Sequence, residues 1–241
     1  MRAGLFVAYW PWFSPEEQVD LAVLADNLGL DSVWVAEAWG QDAVSVLGLL
    51  AGRTSRVALG SGLMQIPARR ATATAMAAAT LDVLSHGRFR LGLGLSGPQV
   101  SEGWYGVPFT DNLRRTREYV DIVRRALARE SLQVPLEGEG LGLGKPLKLL
   151  TRPVQRRLPI YLGAIAPKAI RQVGAIADGW LPFMLDPAHP EALLEPLREG
   201  AQRAGRTLDE IDVAPVVPVA VDEELERARA AVELLADAVG G

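Results

Sequence analysis

Hydrophobic positions along this chain switch repeatedly between a period of two and a helical period, and the switches mark its elements. Residues 4–10, GLFVAYW, read as a first strand, ended by the turn Pro11-Trp12-Phe13-Ser14-Pro15. Ser14 and Glu17 have capping-box spacing with Pro15 at the first helical position, so a helix starts there. Val19, Leu21, Ala22 and Leu24 carry its apolar stripe to about Leu28, and Gly29 closes it. Strand 32–37, helix 42–53 and strand 57–63 follow. A helix of small residues over 71–85 leads through Gly87 into strand 89–96. There Phe89, Leu91, Leu93 and Leu95 share one face, and Arg90, Gly92, Gly94 and Ser96 the other. A helix over 112–130 turns Leu113, Val120, Val123 and Leu127 to the core, followed by strand 158–163 and helix 167–177. Strand 179–184, helix 190–204, strand 211–221 and helix 223–238 complete the series.

Strict alternation of strand and helix calls for a parallel sheet covered by helices. The strands suit either a closed barrel or an open doubly wound sheet, and two observations favour the barrel. The third and fourth strands turn glycines to one face, Gly60 and Gly62 in one, Gly92 and Gly94 in the other. No dinucleotide fingerprint opens the first βα unit. The nearly empty glycine face is expected to leave a void at the barrel mouth, with room for a flat ring. Seven predicted strands fall one short of a complete TIM barrel. Pro215 and Pro218 each remove a ladder donor from the last strand, which an edge tolerates. The expectation is an α/β fold: one TIM-type (β/α) barrel domain over 1–241, open at its last strand or shortened at its C-terminus. Residues 98–157 interrupt the rhythm as a long insertion or lid.

Length and charge narrow the function classes. A chain of 241 residues, 49% hydrophobic and 22% charged, can bury one large core. Its formal charge of −4 offers no basic stripe for nucleic acid. It has no cysteine, which excludes thiol chemistry, disulfides and thiolate metal sites. The apolar run at 5–10 lacks the flank and cleavage site of a secretory signal, and no apolar stretch is long enough to span a bilayer. A cytoplasmic protein with a small-molecule substrate, and with neither membrane nor nucleic-acid partner, is expected.

Several motifs resolve to punctuation. Gly92-Leu93-Gly94-Leu95-Ser96-Gly97 matches G-x-G-x-x-G, but its first two glycines lie inside the strand and Pro98 follows. Gly144-Lys145 is followed by Pro146 where a P-loop needs Ser or Thr, and Glu139 holds the place of its first glycine. His86 and His189, the only histidines, read as a helix end and a turn, without metal-ligand spacing, so no metal is expected. Ser61, Ser96 and Ser101 lack a nucleophile-elbow pattern.

Other residues gather where barrel enzymes keep their sites. Glu37 ends the second strand; a carboxylate there either meets a cofactor ring, relays a proton or is a solvated loop acid. Asp42 reads as the N-cap of the next helix. Ala164-Ile165-Ala166-Pro167 joins the fifth strand to its helix, with backbone N–H groups and the positive helix end at the mouth. Trp10, Trp12, Trp39, Trp104 and Trp180 fall at strand ends or in the long loop, and several indoles at one rim suit a stacked ring system.

In order along the chain, the segments LGLDSVWVAEAWGQDA, VALGSGLMQIPAR, TLDVLSHGRFRLGLGLSGPQVSEGWYGVPF, NLRRTREYVDIVRRAL, GKPLKL and PIYLGAIAPK…ADGWLP resemble the luciferase-like monooxygenase superfamily over about residues 1–221. The resemblance is closest to its coenzyme F420-dependent branch, the methylenetetrahydromethanopterin reductase-like oxidoreductases. It implies a TIM-type barrel with F420, or alternatively FMN, in the C-terminal mouth. It implies a non-prolyl cis peptide at Gly62–Leu63 backing the ring, and a catalytic acid near the ring at Glu37. Ser96 and Gly97 match the cofactor-tail loop, and Ala164, Ile165, Ala166 and Pro167 the phosphate-binding junction. Trp39, Trp104 and Tyr105 would line the substrate side. Ala38 stands where several relatives carry a histidine, a departure that argues against sugar-phosphate and bacterial-luciferase chemistry. Relatives run past residue 241 and often pair, which leaves a homodimer open, while the sequence itself does not give the oligomeric state.

Three functions then need separating. The first is an oxidoreductase moving hydride between F420 and a small organic substrate. The second is an FMN-dependent monooxygenase reducing O2, told apart by preference for FMN and by oxygen consumption. The third is a cofactor-binding barrel without catalysis, which would bind the ring yet turn over no donor.

Overall fold

A side-chain cap or a first-turn proline starts the helices that begin at residues 15, 43, 98 and 167. The computed structural model describes residues 2–7, 13–135, 140–183 and 190–240, the last six of these by backbone alone. Residues 8–12 with Trp10 and Trp12, Glu139, Met184 and His189 lie outside the described residues. The first half runs β1 (Gly4–Val7), α1 (Pro15–Leu28), β2 (Ser32–Val35), α2 (Ala43–Ala51), β3 (Ala58–Ser61), β4 (Met64–Gln65), α3 (Ala71–Leu84) and β5 (Phe89–Gly94). Then come α4 (Pro98–Gly103), α5 (Asn112–Leu127), an antiparallel pair β6 (Ser131–Leu132) and β7 (Leu147–Lys148), and β8 (Ile160–Leu162). The chain continues with α6 (Pro167–Ile176), β9 (Gly179–Trp180), α7 (Glu191–Arg203), β10 (Asp212–Val213) and α8 (Leu225–Gly240). Among the described residues no helix is long and apolar enough to cross a membrane.

The start of α1 follows its sequence signal. The Ser14 hydroxyl accepts from the Glu17 N–H at 3.1 Å, and the Glu17 carboxylate accepts from the Ser14 N–H at 2.8 Å. Gly29 closes the helix at φ 74°, left-handed backbone that glycine takes without a Cβ penalty. Asp42 caps α2 by accepting from the Ser45 N–H at 2.8 Å.

The strands form a curled parallel sheet in the order β1-β2-β3-β5-β8-β9-β10, with β4 beside β5. This is the expected barrel, open where β1 and β10 face one another without a ladder among the described residues. Side chains span the opening at its N-terminal end. The Arg2 guanidinium bonds Asp212 at 2.6 Å and lies 3.7 Å from Asp31, which Arg90 bonds at 2.7 Å. The last strand is far shorter than the expected 211–221. Only Asp212 and Val213 pair with β9, followed by an isolated bridge from Phe183 to Val216. The N–H groups of Asp212, Ala214 and Val216 donate toward β9; Pro218 lacks the N–H that would continue this series, and Pro215 lacks one on the open edge. Within residues 98–157, α5 packs between α3 and α6, and so serves as the crossover helix from β5 to β8.

The leucine face of β5 packs as its alternation requires: Phe89, Leu91 and Leu93 are buried under the helices. The opposite, glycine face corrects an expectation, because it leaves no void. A Cβ on Gly60 would lie 2.2 Å from Cε3 of Trp34, and one on Gly92 2.0 Å from the Ser61 carbonyl oxygen. Trp34, Tyr161 and Leu181 fill the interior with Phe6, Leu63, Ala214 and Val216 around them. The Trp34 and Tyr161 rings meet edge-on, centroids 5.0 Å apart. Small residues on the inner wall therefore make room for this protein's own aromatic rings, the usual filling of a barrel interior. Gly60→Ala is expected to cost about 1–3 kcal/mol through overpacking against Trp34, read as a lower urea midpoint at unchanged m-value.

Candidate active site

Because the barrel strands are parallel, their C-terminal ends share one rim, where residues 36–39, 61–65, 95–97, 163–167 and 181–183 emerge. The backbone between β3 and β4 shapes its centre. The Gly62–Leu63 peptide is cis, as the resemblance implies. Where β3 leaves β5, the Ser61 hydroxyl substitutes for the ladder, accepting from the Gly92 N–H at 2.9 Å and donating to the Gly92 carbonyl at 2.8 Å. Leu63 drops onto the glycine wall: Cβ atoms on Gly94 and Gly163 would lie 2.7 and 2.3 Å from its Cδ1. It remains half-buried, an aliphatic floor between the packed interior and the open mouth.

Glu37 lies beside this bulge, 8% exposed, with every carboxylate direction taken. It accepts from the Gln65 N–H at 2.9 Å and from the Ala43 N–H at 3.2 Å, in the first turn of α2. Arg69 grips it with two parallel bonds of 2.6 and 2.7 Å, the strong bidentate geometry of a guanidinium on a carboxylate. The Gln65 side chain donates to the Glu37 carbonyl at 3.1 Å. Arg69 also pairs with Asp42, and its carbonyl accepts from the Tyr119 hydroxyl at 3.0 Å. One ion cluster thus ties the end of β2, the start of α2, the β4 turn and α5 together.

The cluster sets the electrostatics of this side of the rim. Partial burial opposes ionisation of Asp42, but hydrogen bonds from the Ser45 hydroxyl and N–H and the charge of Arg69 hold its pKa below the ordinary value. Burial pushes the Tyr105 hydroxyl up, with the negative charge of Glu37 adding to it. Burial likewise drives Tyr119 up to about 12. Both phenols stay protonated, and Tyr119 donates to the cluster through the Arg69 carbonyl.

The other expected site residues are spread around the rim. Ser96 is exposed at φ 59°, and Gly97 follows it as the residue before α4. Ala166 precedes α6 with Pro167 at its first position, and Ile165 is 77% exposed. Trp39 and Trp104 are 62% and 64% exposed, while Tyr105 is half-buried. Trp180 departs from the rim reading: it is fully buried in the helix–sheet core and donates its indole N–H to the Ala164 carbonyl at 3.1 Å. It braces the junction from behind.

A model of the luciferase-like monooxygenase family matches residues 2–240. The chain belongs to that family. Among luciferase-like relatives, a Mycobacterium tuberculosis protein bearing the name of a coenzyme F420-dependent oxidoreductase is 44% identical over 100% of this chain and 73% of its own. The 5,10-methylenetetrahydromethanopterin reductase of Methanolobus tindarius is 31% identical over 89% of this chain and 64% of its own. The solved coenzyme F420-dependent tetrahydromethanopterin reductase of Methanopyrus kandleri matches with TM-score 0.84 at 27% identity, over 99% of this chain and 72% of that one. The chain spans about two thirds to three quarters of these relatives' length.

For this luciferase-like barrel, sequence reasoning missed Arg69 and Gln65, the partners that decide what Glu37 can do. A signal existed: two acids, Glu37 and Asp42, five residues apart at one rim, require a cation nearby.

Proposed function

We propose that this luciferase-like protein is a deazaflavin-dependent oxidoreductase, moving hydride between coenzyme F420 and a small organic substrate at the barrel mouth. One observation carries the reading. The mouth offers an aliphatic floor and exposed indoles, while its two acids, Glu37 and Asp42, are already engaged by Arg69 and helix N–H groups. A flat apolar ring fits such a surface, whereas hydrolysis by general acid–base catalysis would need a free titrating group. The names of the Mycobacterium tuberculosis relative and of the solved Methanopyrus kandleri reductase, both of which carry F420, support the same choice.

When bound, F420 supplies the hydride donor or acceptor carbon. The chain's own residues do the positioning. Leu63 backs the ring, and Trp39, Trp104 and Tyr105 flank the substrate side and exclude water. Ser96 and Gly97, and the junction from Ala164 to Pro167 with the positive end of α6, hold the anionic tail. Glu37 is a positioning residue: it fixes the Gln65 turn and hence the placement of Leu63, with no lone pair left for substrate.

A fluorescence titration tests this, with saturable quenching by F420 at lower concentration than by FMN as the expected result. Truncation by Leu63→Ala is expected to weaken ring binding about tenfold while leaving circular dichroism unchanged. Tighter binding of FMN, with oxygen consumed during turnover, would replace the proposal by an FMN-dependent monooxygenase. Ring binding without turnover of any donor would leave a cofactor-binding barrel.

A further inference from the structure

Below the rim, on the outer face of α6, a cavity of about 430 Å3 runs between α5 and α7. Arg117, Lys168, Arg171 and Arg203 line it, with Gln172 and Leu113. No carboxylate lines it; Glu199, outside the lining, bonds Arg171 at 2.5 Å and lies 3.6 Å from Arg203. Among the described residues Arg117 and Lys168 have no acidic partner. On a chain of formal charge −4, this is a local reversal of sign in a concave setting. Its polar base is fixed, because Gln172 is buried and donates to the Leu113 carbonyl at 2.6 Å.

Its position gives the cations a use. Lys168 directly follows Pro167, so the cavity opens at the junction read above as the cofactor's phosphate site. From there it follows α6 to Ala175, roughly 10 Å at the helical rise, long enough for a short chain of carboxylates to lie along it. F420 carries a chain of glutamates beyond its phosphodiester, one carboxylate per residue. We propose that this groove binds the oligoglutamate tail of F420, with Arg117, Lys168 and Arg203 pairing to its carboxylates. The inference rests on the deazaflavin reading and extends it to a feature FMN lacks. The partners are exposed, so the contribution is electrostatic and screened by salt.

The experiment compares three probes by fluorescence: the tail-less deazaflavin chromophore, F420 with one glutamate, and F420 with several. The two tailed forms share the phosphate, so their difference isolates the groove. Wild type at low salt is expected to prefer the long tail by about five- to tenfold, and to lose that preference at high salt. The exposed-site double variant Arg117→Ala/Arg203→Ala is expected to lose the preference at all salt concentrations and to bind the tail-less chromophore as wild type does. Equal affinity of wild type for short and long tails, or an undiminished preference in the double variant, overturns the groove alone. Failure of wild type to bind any of the three overturns the deazaflavin reading and the groove with it.

Discussion

Glu37→Gln is expected to lower the unfolding free energy by about 3–5 kcal/mol, the cost of breaking a buried ion pair from one side. The substitution keeps the side-chain volume but presents an amide N–H2 to donors that now converge on a carboxylate: the Arg69 guanidinium and the Ala43 and Gln65 N–H groups. Arg69 would be left with Asp42, which is already occupied in capping α2. Urea denaturation measures the loss. Arg69→Met should cost a comparable amount, and the double variant clearly less than the sum, because the second change relieves the charge stranded by the first. The Gln65 turn would loosen with it, so F420 affinity should fall in parallel with stability. A Glu37→Gln protein as stable as wild type, binding F420 normally and failing only in turnover, would instead make Glu37 a catalytic acid.

What the sequence disclosed and what it concealed follow the range of the interactions involved. The cap of α1 is legible because Ser14, Pro15, Glu17 and Gly29 satisfy one another within a single helix. The β5 leucines are legible because a period of two needs only the strand itself. The barrel follows from the alternation of such local units. Contacts across the chain are different. Gly60, Gly92 and Gly94 announce that something approaches the wall closely, but sequence does not say whether the occupant is a ligand ring or a side chain, and Trp34 and Leu63 take the space. Glu37 shows its place at a strand end, yet its role depends on Arg69, 32 residues away. The two prolines that shorten β10 were visible as edge markers, and their effect exceeds that reading because Pro218 stands where the next donor toward β9 would follow Asp212, Ala214 and Val216, while Pro215 removes one from the open edge.

The same limit applies at the opposite end of the barrel, where Asp26 bears the second large effect. Asp26 lies near the end of α1, 6% exposed, and holds the loop that feeds β3. Its carboxylate accepts from the N–H groups of Ser55, Arg56 and Val57 at 2.9, 2.8 and 2.6 Å, and from the Ser55 hydroxyl at 3.1 Å. Burial opposes its ionisation, but the hydrogen bonds from Val57, Ser55 and Arg56 outweigh it and hold the pKa at about 2, against an ordinary 3.8. That difference corresponds to about 2 kcal/mol of folding free energy. Its sign follows from the depressed folded value: the contribution is complete above the unfolded pKa of 3.8 and disappears as pH falls through about 2. Asp26→Asn is therefore expected to cost at least about 2 kcal/mol near neutral pH, since an amide carries no charge and turns a donor toward three N–H groups. Between about pH 4 and pH 2 the variant should lose stability more slowly than wild type, and the two curves should converge. Parallel curves through that window, measured by urea denaturation, would mean that this acid does not anchor the β3 loop through its charge, and that the loop is held by the packing of Val57 instead.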